Sequence, residues 1–345
     1  MKKSELKKRT FGKLTGVLAM CTLVSILTAC GNTGAEQKNT NSNKVQTTST
    51  AAVEQKKEGD KIKPADLPKA MLEGRYESLY SQFSPSFMKH VSLEDFSKMG
   101  TEFTSGVDQF EPFTNFKQNG NNWHVWTSPS ADKGILVAFD ENESIIGLQV
   151  QHLTSHPETD SSYTNTEFSP PFKDDLFVFW GGTNVLANYH YEHESQRYAY
   201  DLVQLKDDFS FEGDPSKNES YYAFGLPILA PAEGTVVSVV NDIVDNEPVG
   251  VMNEKEPAGN MVVIDHGGEF SMLAHLKKGS VTVKVGDKVT RGQEIGLLGN
   301  SGHSSEAHLH FQVSDGKDLF TSKSLHVNWK DGVKPIRGEI FTAKP

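Results

Sequence analysis

The chain has 345 residues, of which 36% are hydrophobic and 23% charged, a composition that suits about two globular domains with tails. Its formal net charge is −11. Without residues 1–29, which hold six Lys/Arg and one Glu, the remainder carries 28 basic and 44 acidic residues, a charge of −16. This acidity argues against a nucleic-acid-binding protein and against electrostatic attachment to an anionic membrane. The two cysteines, Cys21 and Cys30, precede the folded part, which therefore has no disulfide framework and no cysteine zinc site.

Residues 1–29 have the pattern of an export signal. A start with six basic residues precedes an uncharged apolar run at 14–29, which is too short to span a membrane comfortably. The run ends in LTAC at residues 27–30, which resembles a bacterial lipobox and implies that Cys30 is lipidated and becomes the mature N-terminus. The alternative is an ordinary signal peptide that happens to contain a cysteine. We expect a protein anchored by lipid to the extracytoplasmic face of the cell membrane.

Residues 30–64 are predicted to be a disordered tether. They are rich in Asn, Thr, Gln, Lys and Glu and nearly devoid of apolar side chains, so ordering them would cost more entropy than burial could return.

Residues 65–153 are predicted to form a small α+β accessory domain. Apolar residues recur at helical spacing from Leu67 to Phe83, and Ser92 is placed to cap a second helix. The period then shifts to strand-like alternation, as at Ile135, Val137 and Phe139. Helices followed by a curved antiparallel sheet resemble the cone-shaped domains of the nuclear-transport-factor-two kind. We interpret its scattered histidines as structural: His90, His124 and His152.

Residues 154–172 are polar and contain proline, so they are predicted to be a linker, and residues 173–345 are predicted to form a second domain. The segments 225–240 and 260–276 have the alternation of strands in a β core.

The most informative stretch of the second domain is GNSGHSSEAHLHFQV, residues 299–313. It places His308 and His310 two residues apart in an apolar alternation, so on a strand both imidazoles point to one face. Two histidines on one face can bind a metal or act in acid–base chemistry. The alternative is a pair of surface histidines on a half-exposed strand.

This stretch resembles the last motif of the lysostaphin-type (LytM-like) zinc metallopeptidases of bacterial cell walls. Three upstream blocks resemble that family in its order, so that the resemblance covers about residues 177–313: PILAPAEGTVVSVV, MVVIDHGGEFSMLAHL and VKVGDKVTRGQEIGLLGNSG. The resemblance implies an all-β core of antiparallel sheet of the duplicated-hybrid-motif type. It also implies one Zn²⁺ per chain and hydrolysis of peptidoglycan peptides, in a cross-bridge or a stem.

The resemblance also implies roles for individual residues. His310 would be a zinc ligand, His308 catalytic, and His275 in MLAHL a contact to substrate oxygen. The family's first metal motif, His-x-x-x-Asp, is matched at Asp201 but not four residues earlier, where this chain has Arg197.

The first ligand therefore has two candidates, His190 and His193. We choose His190, in an Asn-Tyr-His segment that follows a strand and a Gly-Gly turn, and keep His193 as the alternative. Neighbouring positions on a strand face opposite ways, which disfavours both acting equally well.

Two other functions remain open. The hairpin VKVGDKVTRGQEIG is of a kind found in biotinyl and lipoyl carrier domains, but no exposed turn here carries the lysine that they modify. A catalytically degenerate module that binds wall peptide and activates a partner hydrolase is the alternative to an enzyme. The expected partners are peptidoglycan and, through the N-terminal lipid, the membrane; a cell-wall or divisome protein partner stays undefined.

Overall fold

The computed structural model describes residues 61–318 and 321–343. The predicted signal peptide, the lipidation site Cys30 and the tether up to residue 60 lie outside the described residues. Residues 61–64, predicted as the end of the tether, are instead packed into the first domain. Ile62 is buried, and its backbone N–H and C=O both bond the side-chain amide of Gln82. Within the described ranges, no helix has the length and apolar character needed to cross a bilayer.

The N-terminal domain is α+β, as predicted: three helices precede a four-stranded antiparallel sheet whose strands lie side by side in chain order. One apolar cluster joins the helices to one face of the sheet. The elements are 3-10 helices at Pro64–Asp66 and Phe87–Lys89, helices α1 (Leu67–Leu72), α2 (Tyr76–Tyr80) and α3 (Leu93–Thr104), and strands β1 (Glu111–Gln118), β2 (Asn121–Thr127), β3 (Lys133–Phe139) and β4 (Ile145–His152).

Local sequence signals account for this domain. The Ser92 hydroxyl accepts a hydrogen bond from the Asp95 backbone N–H at 3.1 Å, the N-cap that starts α3. Alternation along β3 sends Ile135 and Val137 into the cluster under the helices. Leu136, between them, points the other way and packs against the second domain.

The segment 154–172 is not a free linker, because most of it is part of the second domain. It contains α4 (Pro157–Asp160) and β5 (Tyr163–Phe168), and β5 pairs in parallel with a C-terminal strand, Ser324–Trp329. Thr164 and Phe168 are buried, while their neighbours face outwards. Since only alternate residues of an edge strand need be apolar, the polar composition concealed it.

The C-terminal domain is an all-β core of mostly antiparallel sheet, as predicted. Its main sheet has the strand order β12-β9-β10-β11-β14-β7-β6-β16, with β15 against β14 and β5 beyond β15; β8 and β13 form a separate pair. The strands are β6 (Leu176–Trp180), β7 (Tyr200–Val203), β8 (Pro227–Leu229), β9 (Gly234–Val240), β10 (Asn260–Asp265), β11 (Phe270–Leu276), β12 (Lys288–Val289), β13 (Glu294–Leu297), β14 (Leu309–Ser314), β15 (Ser324–Trp329) and β16 (Ile340–Phe341), with 3-10 helices at Tyr189–Glu192, Asn218–Ser220 and Lys330–Gly332.

The two domains share apolar contacts along β1, β2 and β6. The Phe116 and Phe177 rings meet with centroids 5.5 Å apart, and Leu186 packs into a cluster with residues of β2 and β3. The buried guanidinium of Arg337 lies 3.7 Å above the Trp180 ring and donates a hydrogen bond to the Leu186 carbonyl. The N-terminal sheet therefore covers one flank of the C-terminal domain.

Candidate active site

Three buried side chains converge at the centre of the main sheet: His190, Asp201 and His310. Asp201 on β7 and His310 on β14 are direct partners across two antiparallel strands, so their side chains share one face. His190 reaches this face from the 3-10 helix Tyr189–Glu192. One ligand atom from each residue lies within 4.8 Å of the others, and no second group of this kind occurs in the part of the chain described.

His190 is held by Asn188, which begins the 3-10 helix. The Asn188 amide N–H₂ donates to the carbonyls of Gly182, Arg197 and Ala199, which leaves its Oδ1 as the acceptor for His190. His190 Nδ1 lies 2.9 Å from that oxygen and therefore carries the proton in the neutral ring. Its Nε2, 3.7 Å from Asp201 Oδ2, offers a lone pair to the centre of the cluster.

His310 is oriented in the same way by Gln312, two residues further along β14. The Gln312 amide donates to the Ser195 carbonyl and the Ser314 hydroxyl, so its Oε1 accepts from His310 Nε2 at 3.0 Å. His310 Nδ1 lies 2.9 Å from Asp201 Oδ1, so its proton is hydrogen-bonded to the carboxylate, and a metal can bind Nδ1 only after that proton leaves. Such outer hydrogen bonds fix the tautomer of histidines that bind metals.

The spacing of these atoms fits a tetrahedral metal ion. Zinc with bonds of about 2.0–2.1 Å requires ligand atoms about 3.3–3.4 Å apart. His190 Nε2 lies 3.7 Å from Asp201 Oδ2 and His310 Nδ1 lies 2.9 Å from Asp201 Oδ1, one distance longer and the other shorter than that value, so small side-chain shifts would complete the site. Three protein ligands of this type, with a fourth position for water, are the donor set of a catalytic rather than a structural zinc.

Two of the three candidate ligands are already deprotonated for metal binding, whereas His310 tends to hold a proton. Burial alone would raise the pKa of Asp201, but the surrounding His190, His308 and His310 hold it well below its usual value, so the carboxylate is ionised. Burial lowers the pKa of His190 to about 3. Burial also opposes the charged form of His310, but the hydrogen bond and charge of Asp201 outweigh it and raise the pKa of His310 above its ordinary value.

His308 stands at the start of β14 with its Nε2 3.7 Å from Asp201 Oδ1. Its Nδ1 lies 2.9 Å from the Glu306 carbonyl and 3.0 Å from the Ser304 hydroxyl. A carbonyl only accepts, so Nδ1 carries the proton and Nε2 is the basic atom next to the cluster.

His275 lies beside His308, with ring centroids 4.6 Å apart. It is the next-to-last residue of β11 and has a left-handed conformation, φ 61°, which is uncommon for residues other than glycine and costs backbone energy. Its Nδ1 donates to the Ser301 carbonyl at 2.8 Å. Burial, with His308 and His310 adding to it, lowers the pKa of His275 well below its usual value, so this ring is neutral at pH 7 with a free lone pair on Nε2.

The remaining histidines stand apart from this cluster. His193, the alternative first ligand, is exposed at the end of the 3-10 helix. His266 is a turn residue whose ring hydrogen-bonds the Glu233 carbonyl and the Ser271 hydroxyl. Arg197, at the family's histidine position, is buried and donates to the Tyr191 carbonyl.

Sequence reasoning missed the residues that orient the histidines. Gln312 had a usable signal, because it stands two positions after His310 and must share its strand face. Asn188 also precedes His190 by two, but its contacts with Gly182, Arg197 and Ala199 depend on the folding of a long loop. Glu306 carried no signal, since nothing in the local pattern marks its carbonyl as the acceptor for His308.

Comparison with known proteins shows a family similarity in part of this domain. Residues 220–322 match the model of Peptidase family M23. The matched stretch contains His275, His308 and His310, whereas His190 and Asp201 precede it. The site described above therefore extends beyond the matched stretch into the loop and strand before it.

Individual relatives match over similar stretches. The chain is 38% identical over 89 residues to the peptidoglycan DD-endopeptidase ShyA of Vibrio cholerae serotype O1, covering 26% of this chain and 17% of ShyA. It is 34% identical over 103 residues to an uncharacterized metalloprotease of Buchnera aphidicola, covering 30% and 24% of the two chains. Lysostaphin from Staphylococcus simulans is 20% identical over 47% of this chain and 52% of its own, with a TM-score of 0.28. The chain thus spans less than a quarter of the length of the two curated relatives, from Vibrio cholerae and Buchnera aphidicola, and its residues 220–322 are similar to Peptidase family M23.

Proposed function

We propose that this chain is a zinc-dependent endopeptidase that hydrolyses peptide bonds of bacterial peptidoglycan. The observation that carries the proposal is the buried set of His190, Asp201 and His310, whose potential ligand atoms lie close together while Asn188 and Gln312 hydrogen-bond the other nitrogen of each histidine. Beside that set, His275 and His308 each use Nδ1 in a hydrogen bond to a backbone carbonyl, which leaves each Nε2 as an acceptor for a proton. The similarity of residues 220–322 to a peptidase family supports the same conclusion.

The substrate class follows from two supporting facts. The relative from Vibrio cholerae is named a peptidoglycan DD-endopeptidase. The N-terminal 30 residues have the pattern of an exported lipoprotein, which would hold the enzyme facing the cell wall. We infer that the scissile bond lies in a stem peptide or a cross-bridge.

His190, Asp201 and His310 would hold the zinc ion, which when bound lowers the pKa of water and polarises a carbonyl. His308 Nε2 accepts the proton from the attacking water, because its Nδ1–H is committed to the Glu306 carbonyl. The imidazolium formed then returns the proton to the leaving amine.

His275 requires a revised role within this proposal. The resemblance implied that it contacts the substrate oxygen, where it would have to donate a hydrogen bond. In the neutral ring the only N–H is Nδ1–H, and it already bonds Ser301. His275 therefore first acts as an acceptor for water or for the substrate amide, and it stabilises a negative oxygen only after it has taken up a proton.

The direct test is digestion of purified sacculi from several wall types. The mature chain, after metal analysis, should release fragments whose mass spectra identify a hydrolysed peptide bond, and a chelator should stop the release. If the protein binds zinc and binds sacculi but releases no fragment from any wall type, the degenerate binding module replaces the enzyme.

Zinc binding should release a proton from His310. Because the pKa of His310 is raised above its ordinary value, the ring should be mainly protonated at pH 6 and should lose that proton when zinc binds. His190 and Asp201 should release none, since the pKa of each is lowered. Protonation of His310 competes with zinc, so affinity should fall as the pH falls. Calorimetric titrations in two buffers of different ionisation enthalpy give the proton count, and the same titration of His308→Ala removes any contribution from that ring. No proton released at pH 6 would contradict the assignment.

Membrane anchoring through Cys30 is a further part of the proposal, supported by the lipobox pattern. One lipidated cysteine carrying more than one acyl chain holds a protein stably on a bilayer. Cys30→Ala should shift the protein from the detergent-extracted membrane fraction to the soluble or unprocessed fraction. Cys21→Ala, inside the signal segment, is the matched control and should leave the distribution unchanged. Membrane retention of Cys30→Ala equal to that of the natural sequence would refute the anchor.

A further inference from the structure

The carboxyl group of Glu306 is buried beside the proposed general base with a single side-chain partner. Its Oε2 accepts a hydrogen bond from the Ser210 hydroxyl at 3.3 Å. Its Oε1 is buried and has no hydrogen-bond partner among the described residues. Burial raises the pKa of Glu306 to about 7. A buried carboxyl costs free energy unless it is hydrogen-bonded, and the Ser210 hydroxyl supplies that hydrogen bond and so fixes the carboxyl group.

The backbone of Glu306 is what orients His308. The Glu306 carbonyl accepts from His308 Nδ1 at 2.9 Å and from the Ser304 hydroxyl at 2.8 Å. A rotation of the Glu306 peptide would remove the acceptor that keeps the proton on Nδ1. The basic lone pair on Nε2 therefore depends on where the Glu306 residue sits.

Ser210 in turn is held by the N-terminal domain. Asn119, at the turn between β1 and β2, accepts from the Ser210 backbone N–H at 2.9 Å through Oδ1. Its Nδ2 donates to the Ser210 hydroxyl at 3.2 Å. The Ser210 hydroxyl proton has two acceptors in reach, Glu306 Oε2 at 3.3 Å and Asn119 Oδ1 at 3.4 Å. Because Oδ1 already accepts from the Ser210 N–H and Nδ2 donates to the hydroxyl oxygen, Glu306 is the acceptor that we take for this proton.

The loop around Ser210 is a tight turn that the same asparagine anchors. The Lys206 and Phe209 backbones bond each other, and Asp207 and Asp208 between them have left-handed conformations, φ 51° and 67°. The Asn119 backbone N–H donates to the Asp208 carbonyl at 2.8 Å. Three hydrogen bonds from one residue of the N-terminal domain thus hold this loop against the site.

We propose that the N-terminal domain completes the active site, with Asn119 as a positioning residue that acts on His308 through Ser210 and Glu306. The inference rests on the proposed function, because it concerns the same general base. It also gives residues 65–153 a part in the chemical step, beyond the accessory or substrate-presenting role expected from the sequence.

Two substitutions of Asn119 separate positioning from anchoring. Asn119→Gly tolerates the left-handed backbone, φ 50°, but removes the amide. Asn119→Asp keeps an acceptor for the Ser210 N–H but has no donor, so the Ser210 proton turns away from Glu306. We expect both to lower kcat by roughly 10- to 100-fold, the scale for small misplacements of catalytic groups, with KM and zinc content unchanged. Lys117→Ala, a change at an exposed position near the end of β1, is the control and should leave kcat as in the natural protein.

Glu306→Ala tests the same path from its other end, because it removes the carboxyl group but leaves the hydrogen bonds between Asn119 and Ser210 intact. It should cause a similar loss of kcat, and the double variant with Asn119→Gly should lose no more than the worse of the two single variants, because both act along one path. Additive losses would mean that Asn119 and Glu306 act independently and would overturn the proposal. Normal activity of Asn119→Asp beside an impaired Asn119→Gly would reduce Asn119 to a loop anchor and overturn it too.

A measurement that needs no enzymatic activity distinguishes a failure of the positioning proposal from a failure of the proposed function. In the zinc-free protein labelled with ¹⁵N-histidine, the His308 ring, assigned by its loss in His308→Ala, should show the Nδ1–H tautomer. Asn119→Gly and Asn119→Asp should shift it towards a mixture, while Lys117→Ala should not. If the natural protein cleaves no peptidoglycan peptide but the tautomer shifts, the positioning holds and the proposed activity fails. An unchanged tautomer in both Asn119 variants, with melting temperatures like that of the natural protein, would refute the positioning.

Discussion

His310→Ala should lose zinc and activity together, whereas His308→Ala should keep its zinc and lose turnover alone. The two rings stand two residues apart beside one carboxylate, but of the two only His310 has a nitrogen within hydrogen-bond distance of Asp201, with Nδ1 2.9 Å from Oδ1. Removing it leaves two ligands, too few for a stable catalytic site. Removing His308 deletes the proton acceptor, which should cost roughly 10²–10⁴-fold in kcat. Zinc stoichiometry and hydrolysis of a soluble wall peptide are measured on both variants.

His190→Ala and His193→Ala extend the same experiment to the first ligand. His190 is buried in the cluster and His193 is exposed, so zinc should be lost in the first variant and retained in the second. Loss of zinc in His193→Ala with retention in His190→Ala would reassign that ligand. Retention of zinc in His310→Ala with its loss in His308→Ala would reverse the roles of the pair.

Gln312→Leu should weaken zinc binding by roughly 10- to 100-fold, the usual effect of removing an outer hydrogen bond from a metal-binding histidine. Leucine has a similar size but offers no acceptor to the His310 Nε2–H, so the proton can move to Nδ1 and block the ligand atom. Gln312→Glu keeps the acceptor and should bind zinc at least as tightly as the natural protein. Competition with a chromogenic chelator measures both affinities.

Gln149→Leu, an exposed change on a strand of the N-terminal domain, is the control for a general effect of replacing glutamine by leucine. The tautomer argument fails if Gln312→Leu binds zinc with the affinity of the natural protein.

The domain contact changes how the C-terminal part should be studied. Phe116 and Phe177 pack together, and Arg337 is buried against Trp180 with its Nε unpartnered among the described residues. Cutting the chain before residue 173 would expose these groups and release the loop around Ser210. Full-length mature protein is therefore the appropriate material for every measurement above.

The sequence alone determined the features that depend on neighbours within one element. The two-residue period of a strand was sufficient to place His308 and His310 together, and the Ser92 cap and the alternation along β3 were readable for the same reason. Asp201 was identified by its resemblance to the aspartate of the family's first metal motif, and the all-β core was implied by the same resemblance. The α+β domain before it followed from the order of helical and strand patterns.

Only the tertiary structure decided which side chains meet from distant segments. Whether His190 or His193 faces Asp201 depends on the long connection between β6 and β7, whose path is set by Asn188 and the carbonyls that it bonds. The strand inside residues 154–172 became visible only through its pairing with β15. The contact from Asn119 to Ser210 joins residues 91 positions apart. Periodicity predicts which way a residue faces within its own helix or strand. Its partners from distant segments are determined by long-range hydrogen bonds and by burial in a common core. These interactions exist only once the chain has folded.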